Sequence, residues 1–188
     1  MIKNIFIALL LVFVQTMSAQ EPVSYTEVIT VEGKSSIELS EIMRRWVAVA
    51  YKNPDKVMRY DNGNNEIIVD GVVDYDPGTF STNFLRGFIR YNLYIRFKDG
   101  RMRVEMSNPY HVTTNLKGGI NLRTVYKEPL TKEQWKSTKL GSIQLTQKIY
   151  ENAMGKARDI LDNRWNFLIN SINNNIKTIE SRKVEEDW

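Results

Sequence analysis

The sequence predicts an α+β domain, an antiparallel sheet packed by an N-terminal amphipathic helix and a long C-terminal helix. Three observations predict it. Two alternating runs meet at Asp99-Gly100. An apolar stripe at helical spacing follows a capping signal at Ser35. A longer stripe of the same kind runs from Ser142 to roughly Lys177.

The chain opens with MIKNIFIALLLVFVQTMSA. Lys3 precedes an unbroken apolar run from Ile5 to Val14, the pattern of a secretory signal peptide. That run is too short to span a bilayer, which needs about 20 apolar residues. Ala19 offers the small residue a cleavage point requires, and no cysteine follows to make a lipoprotein anchor. Residues 1–19 are therefore expected to be a signal peptide, and the rest to be exported to the periplasm or beyond. The whole chain has 188 residues, no cysteine, one histidine and a net charge of +4. Stability then depends on packing without disulfides, and a multi-histidine metal site within one chain is excluded. The charge is too small to argue for nucleic acid by itself.

Ser24 to Glu32 is rich in β-branched residues and ends at Gly33, so it is predicted as a strand. Ser35 with Glu38 forms a capping box, and Leu39, Ile42, Met43, Trp46, Val47 and Ala50 form the apolar face of the helix behind it. Trp46 on that stripe is expected in the core. Asn53-Pro54 ends the helix, because the residue before proline is pushed out of the helical region. Val57–Asp61 and Glu66–Tyr75 are two strands around a turn, and Asp76-Pro77-Gly78 closes the second. Residues 79–83 are expected to be a loop.

The central pair of strands covers Phe84 to Ser107. Asp-Gly suits a tight hairpin turn, where both positions take positive φ. It places Lys98 opposite Arg101 and Arg96 opposite Arg103. One face then carries Leu85, Ile89, Tyr91, Leu93, Ile95, Phe97, Met102, Val104 and Met106, a core face. The other carries Arg86, Phe88, Arg90, Tyr94, Arg96, Lys98, Arg101, Arg103 and Glu105. A one-residue slip would bury arginines, so the register is well specified. Asn108-Pro109 is expected to stop the second strand. Asn121–Tyr126 is a candidate edge strand, and Thr131 to Gln134 a capping box for a short helix holding Trp135. The last element, 142–177, would extend about 50 Å at 1.5 Å per residue. Gly155 inside it suggests a bend or a close backbone contact. The asparagines at 170 and 173–175 predict a frayed end, and 181–188 a polar, solvated tail. The organisation expected is a domain over 20–130, a helical region over 131–180 and that tail.

The runs SYTEVITVEGKSSIELSEIMRRWVAVAYKNP, VMRYDNGNNEIIVDGVV and YIRFKDGRMRVEMSN resemble a family of secreted bacterial proteins. That family is a domain of unknown function with a TATA-binding-protein-like (TBP-like) fold, and the likeness covers about Tyr25 to Val112. It implies a curved antiparallel sheet with helices on one face. It brings no activity, cofactor or catalytic residue. Likeness of fold to a DNA-binding protein is not evidence of DNA binding.

Most chemistries lack their motifs. A Ser-His-Asp triad would have to use His111, and no nucleophile elbow is present. His111 follows a turn and is expected at the surface or an interface. No phosphate-binding glycine loop occurs. Asp74 to Gly78 resembles the start of a calcium loop, but Thr79 and Leu85 stand where glycine and glutamate are needed. Asp70, Asp74 and Asp76 share strand parity without a specified partner, a weak basis for an envelope hydrolase. The feature that remains is the basic strand face: Arg86, Phe88, Arg90, Tyr94, Arg96, Lys98, Arg101 and Arg103. Facing like charges are mildly destabilising. They imply either an anionic partner or neutralisation by Asp70, Asp74 or the acidic tail at 185–187. Export disfavours nucleic acid and points to an anionic glycan, a lipid headgroup or an acidic protein. The expectation is a non-enzymatic binding domain without cofactor. The alternative is self-assembly through the stripe of the C-terminal helix.

Overall fold

The computed structural model describes residues 20–62, 65–138, 140, 142 and 145–186, with side chains through 179. The signal-peptide expectation for residues 1–19 lies outside them. In chain order the elements are β1 (Tyr25–Thr30), α1 (Ser36–Ala50), α2 (Pro54–Val57), β2 (Met58–Asp61), β3 (Glu66–Tyr75), a 3-10 helix (Phe80–Leu85), β4 (Gly87–Lys98), β5 (Arg101–Thr113), β6 (Arg123–Thr124), α3 (Lys132–Thr138) and α4 (Gln147–Glu186). The strands form one antiparallel sheet in the order β1-β5-β4-β3-β2, and β6 pairs with the far half of β5.

The β4–β5 hairpin has the predicted register, with Lys98 opposite Arg101, Arg96 opposite Arg103 and Leu93 opposite Met106. Gly100 takes φ 75° in the turn. The turn also docks α1. Asp99 accepts a 2.8 Å hydrogen bond from the Ser36 backbone N–H, and the Gly100 N–H donates to the Lys34 carbonyl. A carboxylate at the start of a helix complements its dipole. The Ser35–Glu38 capping box closes the same end of the helix. The Ser35 backbone N–H, then Lys34, holds the Glu38 carboxyl down at about 2.

The strand does not stop at Asn108-Pro109. A bulge there sets two residues against Tyr91, since Asn92 pairs with Ser107 but Arg90 with Tyr110. Asn108 takes φ 55° to make it. Pro109 is tolerated because a bulge is where a strand can spare an N–H. The extra residue resets the alternation, so Pro109 and His111 face the core where Met102, Val104 and Met106 did before it. The expectation of a surface His111 is thus wrong. The ring is fully buried, with Nε2 2.8 Å from the Leu85 carbonyl and Nδ1 accepting from the Leu122 N–H at 3.0 Å. Tyr75 meets it edge-on at 4.8 Å. Those partners specify the neutral tautomer with the proton on Nε2.

Both long helices pack on one face of the sheet. Leu39, Ile42, Met43, Trp46 and Val47 of α1 are buried as predicted, whereas Ala50 is exposed. The Trp46 indole N–H donates to Ser171 on α4 at 3.0 Å. The α4 stripe from Ala153 through Ile176 joins the same hydrophobic cluster as the sheet. Tyr25 stacks on Trp165 at 5.5 Å and donates to Asp162 at 2.5 Å. Arg164 donates to the Tyr91 hydroxyl at 2.8 Å. The Tyr91 ring lies directly over Gly71 on β3, where an added Cβ would fall 2.1 Å from its carbons.

Other boundaries differ from expectation. The segment from 79 to 83 belongs mostly to the 3-10 helix, which also holds Leu85 outside the strand. Helix α4 begins at Gln147 and runs to Glu186, so the asparagines do not end it and 181–186 is helical. At 40 residues it would measure about 60 Å, longer than the roughly 40 Å of β4. Gly155 makes no close backbone contact. The Thr131–Gln134 capping box forms, and the Asn121–Tyr126 edge shrinks to the two residues of β6. Among the described residues no helix is long and apolar enough to cross a membrane.

Two outcomes follow from this packing. Gly71→Ala should cost about 1–3 kcal/mol, because the new methyl must displace Tyr91 and with it the Arg164 hydrogen bond. Denaturant unfolding with an unchanged m-value would measure it. Burial lowers the His111 pKa below its ordinary 6.5. Its contribution is therefore present above that value and lost as pH falls through it. Wild-type Tm should drop between about pH 7.5 and about pH 5.5, while His111→Gln, less stable throughout, should lose that part of the slope.

Candidate functional site

The sheet face away from the helices is uncovered, and the predicted basic residues lie along it. Arg90, Arg96, Lys98, Arg101 and Arg103 are exposed on β4 and β5, with Phe88 and Tyr94 half-buried between them. Arg86 is exposed too, but it sits at the end of the 3-10 helix and pairs with Asp76 at 3.2 Å. The rings are not bare. The Arg90 guanidinium lies 5.2 Å over Phe88, and that of Arg96 lies 5.3 Å over Tyr94.

Neutralisation is real but comes from other residues than expected. Glu66 faces Arg96 across β3–β4 and accepts from its Nε at 2.5 Å. Glu105 accepts from Arg96 Nη1 at 3.3 Å and from Arg103 Nη2 at 3.1 Å. One carboxylate thus bridges the two arginines that the register forces together. Each half-exposed link contributes about 0.2–1 kcal/mol. The Glu66 hydrogen bond, more than nearby charge, raises the Arg96 pKa still further, so Arg96 stays charged at any working pH. Asp70 instead takes Arg59 and accepts from Asn92 at 2.9 Å. Asp74 is exposed opposite Phe88. The tail side chains at 185–187 lie outside the described ones.

Among the described residues Arg90 also lacks an ion pair and lies over Phe88, and the rest of what is left over is at the hairpin end. Among the described residues no ion pair holds Lys98 or Arg101. With Arg96 and Arg103 they surround a shallow concavity of about 330 Å³ whose apolar wall is Val28, 56% exposed on β1. A second concavity of about 320 Å³ lies further along the same face, around Arg59, Asp70, Arg90, Asn92 and Asn108. There Asn108 donates to Asn92, and Asn92 to Asp70, in a short polar chain.

Sequence reasoning missed Val28, Glu66, Tyr60 and Tyr110. The first belongs to β1 and reaches the groove because β1 pairs with β5, placing Val28 opposite Arg103. Alternation within each strand was readable, but strand order was needed to bring Val28, Glu66 and Tyr60 onto this face, and the bulge to place Tyr110, which lies on β5 itself. The geometry suits electrostatic holding of an anion. Among the described residues it contains no cluster of histidine and carboxylates fit for a metal. His111, the one histidine, is buried on the opposite side of the sheet.

Comparison with curated proteins found no match. Two solved structures share the fold. One is a TBP-like protein from Parabacteroides distasonis ATCC 8503, at TM-score 0.52 and 18% identity over 81% of this chain and 94% of that one. The other is a DUF4468 family protein from Bacteroides ovatus ATCC 8483, at TM-score 0.54 and 14% identity over 83% and 91%. The family model described as "Domain of unknown function (DUF4468) with TBP-like fold" matches residues 25–111. The stretch from β1 to His111 thus resembles the DUF4468 domain, and the chain has the TBP-like fold of both structures.

Proposed function

We propose that this is an exported, non-enzymatic interaction domain whose open sheet face holds an anionic glycan of the cell envelope. The observation that carries the proposal is the groove at the hairpin end. Four cations surround it, and two of them, Lys98 and Arg101, have no partner among the described residues. Carboxylate or sulfate groups would meet those cations. Sugar hydroxyls would find the amides of Asn92 and Asn108 in the second concavity, and Tyr60 and Tyr110 offer exposed rings on the same face. An acidic protein or a lipid headgroup offers the same charge but makes no use of the amide chain. Pairing through the stripe of α4 is less well supported, because that stripe is buried in the protein's own core through Ile176.

A ligand that binds only the folded state raises its stability by mass action. Thermal unfolding with a panel of uronic-acid and sulfated oligosaccharides should show stabilisation that fades as salt rises. Lys98→Gln with Arg101→Gln should remove it while leaving the unliganded Tm unchanged or higher, since facing like charges go. A variant that still responds, or a wild type blind to every anion, would sink the proposal. Glu105→Gln should act in the opposite sense, lowering stability by under about 1 kcal/mol and tightening anion binding about threefold. Titration calorimetry at low salt would read the affinity.

A further inference from the structure

The end of the sheet remote from the groove carries a second, unrelated feature. Phe80 is 97% exposed and Leu116 is 98% exposed, the two most exposed large apolar side chains described. Both stand on ordered turns. Phe80 opens the 3-10 helix behind Thr79, whose hydroxyl bonds that of Thr82 at 2.6 Å. Leu116 tips the turn at 115–119, where Asn115 accepts from the Lys117 N–H through its side chain and from the Gly119 N–H through its carbonyl. Gly118 takes φ 90° there.

The two turns are fastened to each other. Ile120 N–H and the Thr113 hydroxyl both donate to the Phe84 carbonyl, at 3.0 and 3.2 Å, and Thr114 N–H donates to the Arg86 carbonyl at 2.9 Å. Phe80 and Leu116 therefore stand exposed on two turns tied together at one end of the sheet. Nothing in the turns requires them, because the hydrogen bonds that shape each turn use backbone, hydroxyl and amide groups. Lysines flank them, Lys117 beside Leu116 and Lys156 of α4, whose amine would lie 2.9 Å from a Cβ at Gly78, while Arg86 at the end of the 3-10 helix is paired with Asp76.

We infer that this end is a membrane-contact site, with Phe80 and Leu116 entering the interface of an anionic bilayer and the lysines meeting lipid phosphates. A protein partner normally buries apolar anchors in a packed central patch. Here two side chains stand singly on separate turns among hydroxyls. A bilayer interface accepts isolated apolar groups without shape matching, and basic neighbours add attraction to anionic lipid. This inference is independent of the glycan groove, which lies at the opposite end of β4.

The absence of cysteine makes the test clean, since Phe80→Cys, Leu116→Cys and Thr30→Cys each accept one environment-sensitive fluorophore. Thr30 is exposed at the hairpin end and serves as the control. All variants share one N-terminus, so the apolar stretch at 5–14 acts equally on each. On vesicles of phosphatidylcholine with phosphatidylglycerol, labels at 80 and 116 should brighten and shift to the blue while the label at 30 does not. Phe80→Ser with Leu116→Ser should keep the wild-type Tm and weaken vesicle binding about tenfold. Dark labels at 80 and 116, an equal response at 30, or undiminished binding of the double variant would each overturn the inference, the first also redirecting the pair to a protein partner.

Discussion

The register between β4 and β5 is the constraint on which the rest of the molecule depends. The Asp99-Gly100 turn sets it, and alternation makes it costly to change. It puts one unbroken apolar surface under the helices and collects the cations on the other side. It also forces Arg96 against Arg103. The cost of that juxtaposition is met locally, by one glutamate on the next row of β5 and one on β3, instead of by a rearranged strand. The open face is thus a balanced array with a surplus at one end. A surplus confined to a few exposed positions is easier to aim at a partner than charge spread evenly over a surface.

Most of the fold was legible in the sequence because its signals are local. The capping box at Ser35, the turn at Asp99-Gly100 and the period-two runs beside it each specify a conformation through neighbouring residues. What could not be read depends on pairings between distant segments. Asn108-Pro109 looks like a terminator because proline removes a ladder donor. Only the partner strand shows that a bulge can accommodate the loss. His111 inherited that error: read as following a turn, it was expected at the surface or an interface, whereas the bulge carries it into the buried face of the strand. The long helix shows a different limit. Asparagines predict fraying when a helix stands alone, but a stripe buried against a sheet outweighs weak local preference.

The candidate site was legible to the same degree. The two facing strands of the hairpin supplied its cations correctly, because their register follows from one turn. Glu66 and Val28 were hidden, since they come from strands whose order in the sheet no local pattern specifies. Fold likeness did not close that gap. The TBP-like scaffold explains why one face is free, whereas what occupies it depends on side chains that the scaffold does not dictate.

Helix α4 closes the core, and it is made after every strand it packs against. Trp165, Leu168 and Ile172 join the core from α4, and Tyr25 gains its stacking partner only when Trp165 has been made. Until then only α1 is available to cover the apolar face of the sheet. For a protein proposed to leave the cytoplasm this order is useful. It postpones completion of the core until α4 has been made, and so favours the loose state that threading through a narrow translocation channel demands.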